Sequence, residues 1–431
     1  MRLRAPLVLG LLLSAAWIPL PAGAQDAPWP VAGRTPAHAA VAEGPAPPYR
    51  VVWETELEDG PPAAAPVLGE AMLVVLGRSE VAALDPESGD ELWSVERAEG
   101  TGGAPAVAGD LVLFVEGEGE EAALVAVGAA DGEEAWRTEI EGHAPGGVAV
   151  AGGRAYVASR RGTVYAVDLE DGSTAWTFPE DPAGRRFESA PAVAGDLLLV
   201  TGQITGDRTS FLQALDRETG EPAWSYRPEG IGLGISSPSE QGSLVLTGTV
   251  DGRPRASAFD LAGGASEWTT DIRFPFAGRQ MPIVTESDVI IADAAGHLYR
   301  LDRSDGELRW TYRVPGFLIG GSPTVAGGSV VVGDLSGQVS AIDLESGLLV
   351  WRRSFGDDQV HPVASDGDRL YVAARGGTVA ALEHDPDAPL LEEPSPTTLF
   401  LDRALLNFGA AFVIVGGALA LLSLLWRRRR G

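Results

Sequence analysis

The sequence predicts an all-β protein: an eight-bladed β-propeller of four-stranded antiparallel blades, followed by one C-terminal transmembrane helix. Three observations carry that expectation. Tryptophan recurs every 40 to 48 residues, a small or neutral residue followed by proline recurs with the same period, and an uncharged apolar run near the C-terminus ends in four arginines.

The tryptophan series is Trp53, Trp93, Trp136, Trp176, Trp224, Trp268, Trp310 and Trp351. The proline series is Ala65-Pro66, Ala104-Pro105, Ala144-Pro145, Ala190-Pro191, Ser237-Pro238, Met281-Pro282, Ser322-Pro323 and His361-Pro362. Two markers of different chemistry agreeing eight times define a repeat. Within one period, residues 145–176, short β-prone runs alternate with Gly-rich turns at Gly152-Gly153, Arg161-Gly162 and Asp168 to Gly172. That is the pattern of a four-stranded antiparallel meander. Such a unit cannot bury both of its faces alone, and stacking around a ring covers them while leaving only short edges. The hairpins at 201–212 and 248–258 are longer than the rest. The last unit, 362–383, has three strands and no Trp strand, whereas the Trp53 strand has no three strands before it. Pairing the two completes an eighth blade and closes the ring, so no sheet edge stays open.

The two ends read as targeting and anchoring segments. Residues 1–24 combine Arg2 and Arg4, an apolar run and Ala22-Gly23-Ala24, the pattern of a cleaved signal peptide, with an uncleaved anchor as the alternative. Residues 25–48 form an Ala/Pro-rich lead, 49–384 the propeller and 385–403 an acidic, Pro-rich stalk. Residues 404–426 carry no charge and, as a helix of about 33 Å, match a bilayer core. The basic tail 427–431 places its arginines on the cytoplasmic side, so the chain is expected in the cell membrane, single-pass, with the propeller extracytoplasmic. Two other readings of the tail stay open: a buried core helix, and a sorting signal that an enzyme clips.

Composition narrows the chemistry. The chain has no cysteine, which removes disulfides, thiolate nucleophiles and cysteine metal sites. Every basic residue is arginine, and seven of the 32 lie at the termini, while all 60 acids lie between residues 26 and 402. The body is therefore more acidic than the net charge of −28 for the whole chain. Such a field opposes nucleic acid as a partner.

A longer motif, A-x-D-x-x-x-G-x-x-x-W, precedes most of the tryptophans: Ala83-Leu84-Asp85 to Gly89 and Trp93, Ala166-Val167-Asp168 to Gly172 and Trp176, Ala214 to Gly220 and Trp224, Ala341 to Gly347 and Trp351. Gly128 stands for the Asp in one repeat, and Arg300 stands for the Ala in another. Asp caps the turn and Gly supplies the positive φ. The motif resembles the tryptophan-docking repeat of the pyrroloquinoline-quinone propeller superfamily, over about residues 49–384. One branch of that superfamily comprises quinoprotein dehydrogenases with quinone and calcium. Another, the BamB-like branch, scaffolds outer-membrane protein assembly without a cofactor. The quinone pocket of the first branch uses a vicinal cysteine pair and long insertions, and this chain has neither. The resemblance therefore implies a non-enzymatic scaffold with protein partners and no cofactor, and no catalytic or metal residue is assigned. The alternative is a propeller that binds a small molecule or polysaccharide in its central channel.

For the partner contact, the expected residues are apolar positions in the loops between consecutive units: Ile231, Leu233 and Ile235, Phe274 and Phe276, and Phe317, Leu318 and Ile319. An apolar patch outside the strands marks a contact surface; the competing reading tucks these loops under the inner strands. The five histidines, His38, His143, His297, His361 and His384, show no metal-ligand spacing; His143 and His361 fall in loops entering inner strands and read as solvated loop residues, with a place at one end of the channel as the alternative. Glu116, Glu118, Glu120 and Glu121 read as a solvated acidic turn, lacking the ordered loop of a calcium site.

Overall fold

A computed structural model describes residues 41–42, 44–57, 64–98, 103–117, 122–179, 182, 184–187, 189–206, 209–227, 239–240, 243–250, 253–272, 281–318, 322–356 and 358–391. Among them the strands form eight sheets. The first runs Val67–Leu68, Leu73–Leu76, Glu80–Leu84, Glu91–Glu96 from its inner to its outer edge. Sheets two to seven follow in chain order. Their outer strands are Glu134–Glu139, Thr174–Phe178, Pro222–Tyr226, Ser266–Asp271, Leu308–Arg313 and Leu349–Ser354. Sheet eight takes three strands from the end of the propeller and its outer strand, Tyr49–Glu56, from the beginning. That strand pairs antiparallel with Thr378–His384, from Tyr49 opposite His384 to Glu56 opposite Thr378. Innermost strands meet between sheets one, two, three and four, between five and six, and between eight and one, and apolar clusters join the remaining neighbours, so the sheets stand around a ring.

Burial follows from that stacking. Leu73–Leu76 is buried at every position, because a neighbouring sheet covers each face, whereas the outer strand Glu91–Glu96 is exposed except at Trp93 and half-buried Val95. The apolar clusters lie between sheets: Val74, Leu76 and Val81 of sheet one pack with Val112, Phe114 and Val125 of sheet two. Leu73, Val75 and Ala82 pack toward Tyr371, Val379 and Ala381 of sheet eight.

The structure shows why Trp and Gly recur together. The Trp53 Nε1–H donates to the Pro86 carbonyl of the next sheet at 3.0 Å. Trp93 donates to Ala129, Trp136 to Leu169, Trp176 to Arg217, Trp224 to Leu261, Trp268 to Arg303 and Trp310 to Leu344. Each indole lies against the turn glycine of its acceptor sheet. A Cβ on Gly89 would sit 2.5 Å from the Trp53 ring, and one on Gly306 would sit 2.6 Å from the Trp268 ring. Those two glycines have φ of +78° and +74°, so any side chain is both crowded and strained there. The Asp of the motif holds the turn: Asp85 Oδ1 accepts the Glu87 and Ser88 amides at 2.7 and 3.0 Å.

The expected fold is corrected at two points. The repeat unit is not eightfold equivalent: seven interfaces are indole-docked, and the Trp351 interface is built differently. Sheet eight has no hairpin turn to receive Trp351, since its outer strand comes from the other end of the chain. Trp351 packs instead edge-on against Tyr49, with ring centroids 5.0 Å apart, and both side chains are fully buried. The sheets are also not uniformly four-stranded and antiparallel. Val41–Ala42 adds to the inner edge of sheet seven in parallel, opposite Val325 and Ala326, and Arg185–Phe187 adds to the long strand Leu197–Ile204 of sheet four. Among the described residues no helix is long and apolar enough to cross a membrane. The signal peptide at 1–24 and the transmembrane helix at 404–426 lie outside the described residues.

At the other edge of sheet seven, the Arg352 amide donates to the Leu390 carbonyl at 2.8 Å, and Arg352 bridges Leu391 in parallel. Sheet seven thus carries a segment from near each end of the described chain, one on each edge.

Candidate partner-binding face

The meander order fixes two ends of the ring. Turns between first and second strands, and between third and fourth, lie at one end. Turns between second and third strands lie at the other, together with the linkers from each outer strand to the next sheet. The candidate contact residues belong to those linkers, so this second end is the candidate face.

The linker from sheet six to sheet seven is the best described. Val314 N–H donates to the Gly296 carbonyl at 2.9 Å and Leu318 N–H to the Ala294 carbonyl at 3.3 Å, both in the central turn of sheet six. The Phe317 carbonyl accepts the Leu335 amide of sheet seven at 2.9 Å. The Asp334 carboxylate accepts the Gly316 amide at 3.1 Å with one oxygen, and the Ser336 amide, Ser336 hydroxyl and Gln338 amide with the other. Asp334 is buried, and burial pushes its carboxyl above the usual carboxylate range, against the pull of those donors. The linker is therefore laced between two turns. Leu318 is fully buried in the core and Phe317 is half-buried. Leu318 accordingly leaves the expected contact set, because its backbone and side chain are both committed to the ring. Ile231, Leu233, Ile235, Phe274, Phe276 and Ile319 lie outside the described residues.

Glycines beside two of the series prolines also have their reason here. A Cβ on Gly103 would overlap the Gly146-Gly147 backbone, and one on Gly146 would overlap the backbone at Ser189 and Ala190. Ala104 bridges Gly147 in parallel. The lead-in segments of sheets two, three and four interlock backbone against backbone at this end, which leaves no room for a side chain at Gly103 or Gly146.

Several side chains read as solvated are not. His143 and His361 are each 7% exposed, and their backbones join the turns of sheets three and eight: His143 O accepts Arg160 N–H, and His361 N–H donates to Ala373 O, both at 2.9 Å. His297 lies 3.2 Å from the buried carboxylate of Asp293, which also accepts the Tyr299 hydroxyl at 2.8 Å. Glu116 is buried, pairs with Arg137 and accepts the Ala98 amide at 3.1 Å, fixing sheet two to the linker that precedes it. Glu118, Glu120, Glu121 and His38 lie outside the described residues. Among the described residues no group of three or more acids and histidines is placed to hold a metal ion. A cleft of about 410 Å³ opens between the outer strands of sheet five and sheet six, lined by Thr270, Ile272, Tyr299 and Leu308 among others.

Sequence reasoning missed Arg300, the residue that stands where most repeats have Ala. Its guanidinium binds the buried Asp288 at 2.7 and 3.1 Å and reaches the Leu344 carbonyl of sheet seven at 2.9 Å. The loss of the motif's Ala was visible in the sequence; the Asp twelve residues earlier was the signal that could have explained it.

Comparison with known proteins agrees with this geometry. The family model described as "Outer membrane protein assembly factor BamB" matches residues 47–124, 120–241, 207–361 and 336–400. The chain is 28% identical over 209 residues to the outer membrane protein assembly factor BamB of Yersinia pestis, covering 42% of this chain and 52% of that one. It is 27% identical over 322 residues to that of Escherichia coli K12, covering 60% of this chain and 79% of the other. Against the first of these relatives, the match spans about half of the relative's length. The crystal structure of BamB from Moraxella catarrhalis superposes with a TM-score of 0.63 at 18% identity, over 80% of this chain and all of that one. A quinohemoprotein alcohol dehydrogenase from Pseudomonas putida superposes with a TM-score of 0.66 at 15% identity, over 85% of this chain and 81% of the other. These structural likenesses extend to the fold alone, which scaffolds and dehydrogenases share.

Proposed function

The chain belongs to the outer membrane protein assembly factor BamB family, and from that premise we propose that it is a non-enzymatic scaffold, held outside the membrane by residues 404–426, that binds protein partners through the linker end of its ring. The observation that carries this reading is the family match across 47–400 on a ring whose repeats are nearly minimal. A propeller that binds through its loops needs little more than a rigid frame, and the interlocked linkers supply one.

The path of the chain after the propeller supports the orientation. Leu390 and Leu391 run parallel to the outer strand of sheet seven, and so toward the linker end. A tether that continues from there would present that end to the membrane surface and to whatever is assembled beside it. The remaining contact residues are Ile231, Leu233, Ile235, Phe274, Phe276, Phe317 and Ile319.

The test is crosslinking and pull-down of the full-length chain from its own membranes. Phe274→Asp with Phe317→Asp should cut partner recovery at least tenfold while leaving the thermal midpoint within a few degrees. Unchanged recovery removes the proposed surface. Deleting residues 404–431 should move the protein from the membrane to the soluble fraction; persistence in the membrane removes the anchor.

A further inference from the structure

We propose that the inner edge of the strand Thr324–Ala326 is a binding slot for a short extended peptide, filled in this structure by the chain's own Val41, Ala42 and Gly44. The slot is a sheet edge of the ring, on the side that faces the channel. Val41 and Ala42 occupy it in parallel register, opposite Val325 and Ala326. Unpaired backbone groups at such an edge recruit an added strand, and the added strand gains its affinity from main-chain hydrogen bonds.

The slot selects by size two residues further on. A Cβ on Gly44 would stand 2.7 Å from Ala326 Cβ and 3.2 Å from the Ser365 hydroxyl, so Gly44 sits where the inner strands of sheets seven and eight converge. Ala326 and Ser365 are themselves fully buried. Beyond Gly44, the Pro45 carbonyl lies against Gly327 and accepts the Tyr49 hydroxyl at 3.2 Å. The preferred ligand is therefore an extended segment with a glycine two positions after its last paired residue. Because the segment runs parallel to an innermost strand, it enters from the linker end and lies along the channel wall. A ligand of the channel would compete with it.

The test uses two forms of the chain and one pair of peptides. A chain lacking residues 26–44 is titrated with a fluorescein-labelled peptide of residues 37–47, and with the same peptide carrying Gly44→Val. The truncated chain should bind the first peptide with micromolar affinity and the second at least tenfold more weakly, while the full chain, its slot filled, should bind neither. Failure of the truncated chain to bind the first peptide, or equal binding of both, overturns the proposal. In the full chain, Gly44→Val should speed amide hydrogen exchange at Thr324–Ala326 without changing exchange at Leu73–Leu76. Unchanged exchange at the slot would likewise overturn it, and this arm does not depend on the truncated chain folding.

Discussion

Trp268 shows what one side chain contributes. Its Nε1–H bonds the Arg303 carbonyl, the ring lies on Gly306, and the Thr270 hydroxyl two residues later donates to the Gly306 carbonyl at 2.7 Å. Trp268→Phe removes the hydrogen bond and part of the packing and should cost about 1–3 kcal/mol. Gly306→Ala should cost at least as much, because it meets the ring at a positive φ. Arg300 is held by different physics. Arg300→Ala leaves Asp288 buried without its cation and should cost about 3–5 kcal/mol, and Asp288→Ala on that background should recover part of the loss. Urea denaturation of the three single variants and the double mutant checks both expectations. At this scale the sequence was most legible where each repeat writes the same chemistry. The Trp, the capping Asp and the turn Gly recur in most repeats and could be read; the Thr two residues after the Trp recurs only at Thr55, Thr138 and Thr270, and Arg300 occurs once, pairing with Asp288 of its own sheet and a carbonyl of the next.

Among the elements, the seam in sheet eight is distinct. The ring closes through the pairing of Tyr49–Glu56 with Thr378–His384, and Trp351 meets Tyr49 across the neighbouring interface. Trp351→Ala should cost about 3–5 kcal/mol and lower the cooperativity of unfolding, since it loosens the sheet that joins the two ends of the propeller. Trp93→Ala, at an ordinary interface, should cost less and leave the denaturant slope unchanged. The seam was legible because a Trp strand without companions and three companions without a Trp strand complement each other. The linkers were not. Their apolar residues look the same whether exposed or buried, and the hydrogen bonds that bury Leu318 come from turns in two different sheets. Val41–Ala42 gave no signal at all, being too short to show a period.

Across the whole molecule, charge follows the repeat. Most of the motifs set an Asp at a turn of the same end, so much of the acid behind the net charge of −28 gathers there. Those turns bind their own aspartates. The Thr219 amide and hydroxyl hold Asp216 below the usual carboxylate range, the Ser346 hydroxyl does so for Asp343, and the Ser304 and Arg309 side chains do so for Asp302. A carboxyl depressed in the folded state adds stability that is present above its unfolded pKa of about 3.9 and lost as pH falls through the folded value. Buried Asp334 is shifted the other way and opposes folding above the ordinary range. The depressed group is the larger, so the urea midpoint should fall on acidification below about pH 4. Asp216→Asn with Asp343→Asn keeps an oxygen for each turn amide but removes the titration, and should make that acid limb shallower. A limb of unchanged slope would mean that other carboxylates govern it.

Sheet seven, with a foreign strand on each edge, also decides how the protein answers force. Among the described residues, tension applied along the chain beyond Leu391 meets the Arg352–Leu390 bond first. That short patch gives way first and lengthens the leash, so the barrel of sheets rides out the load with its own closure untouched.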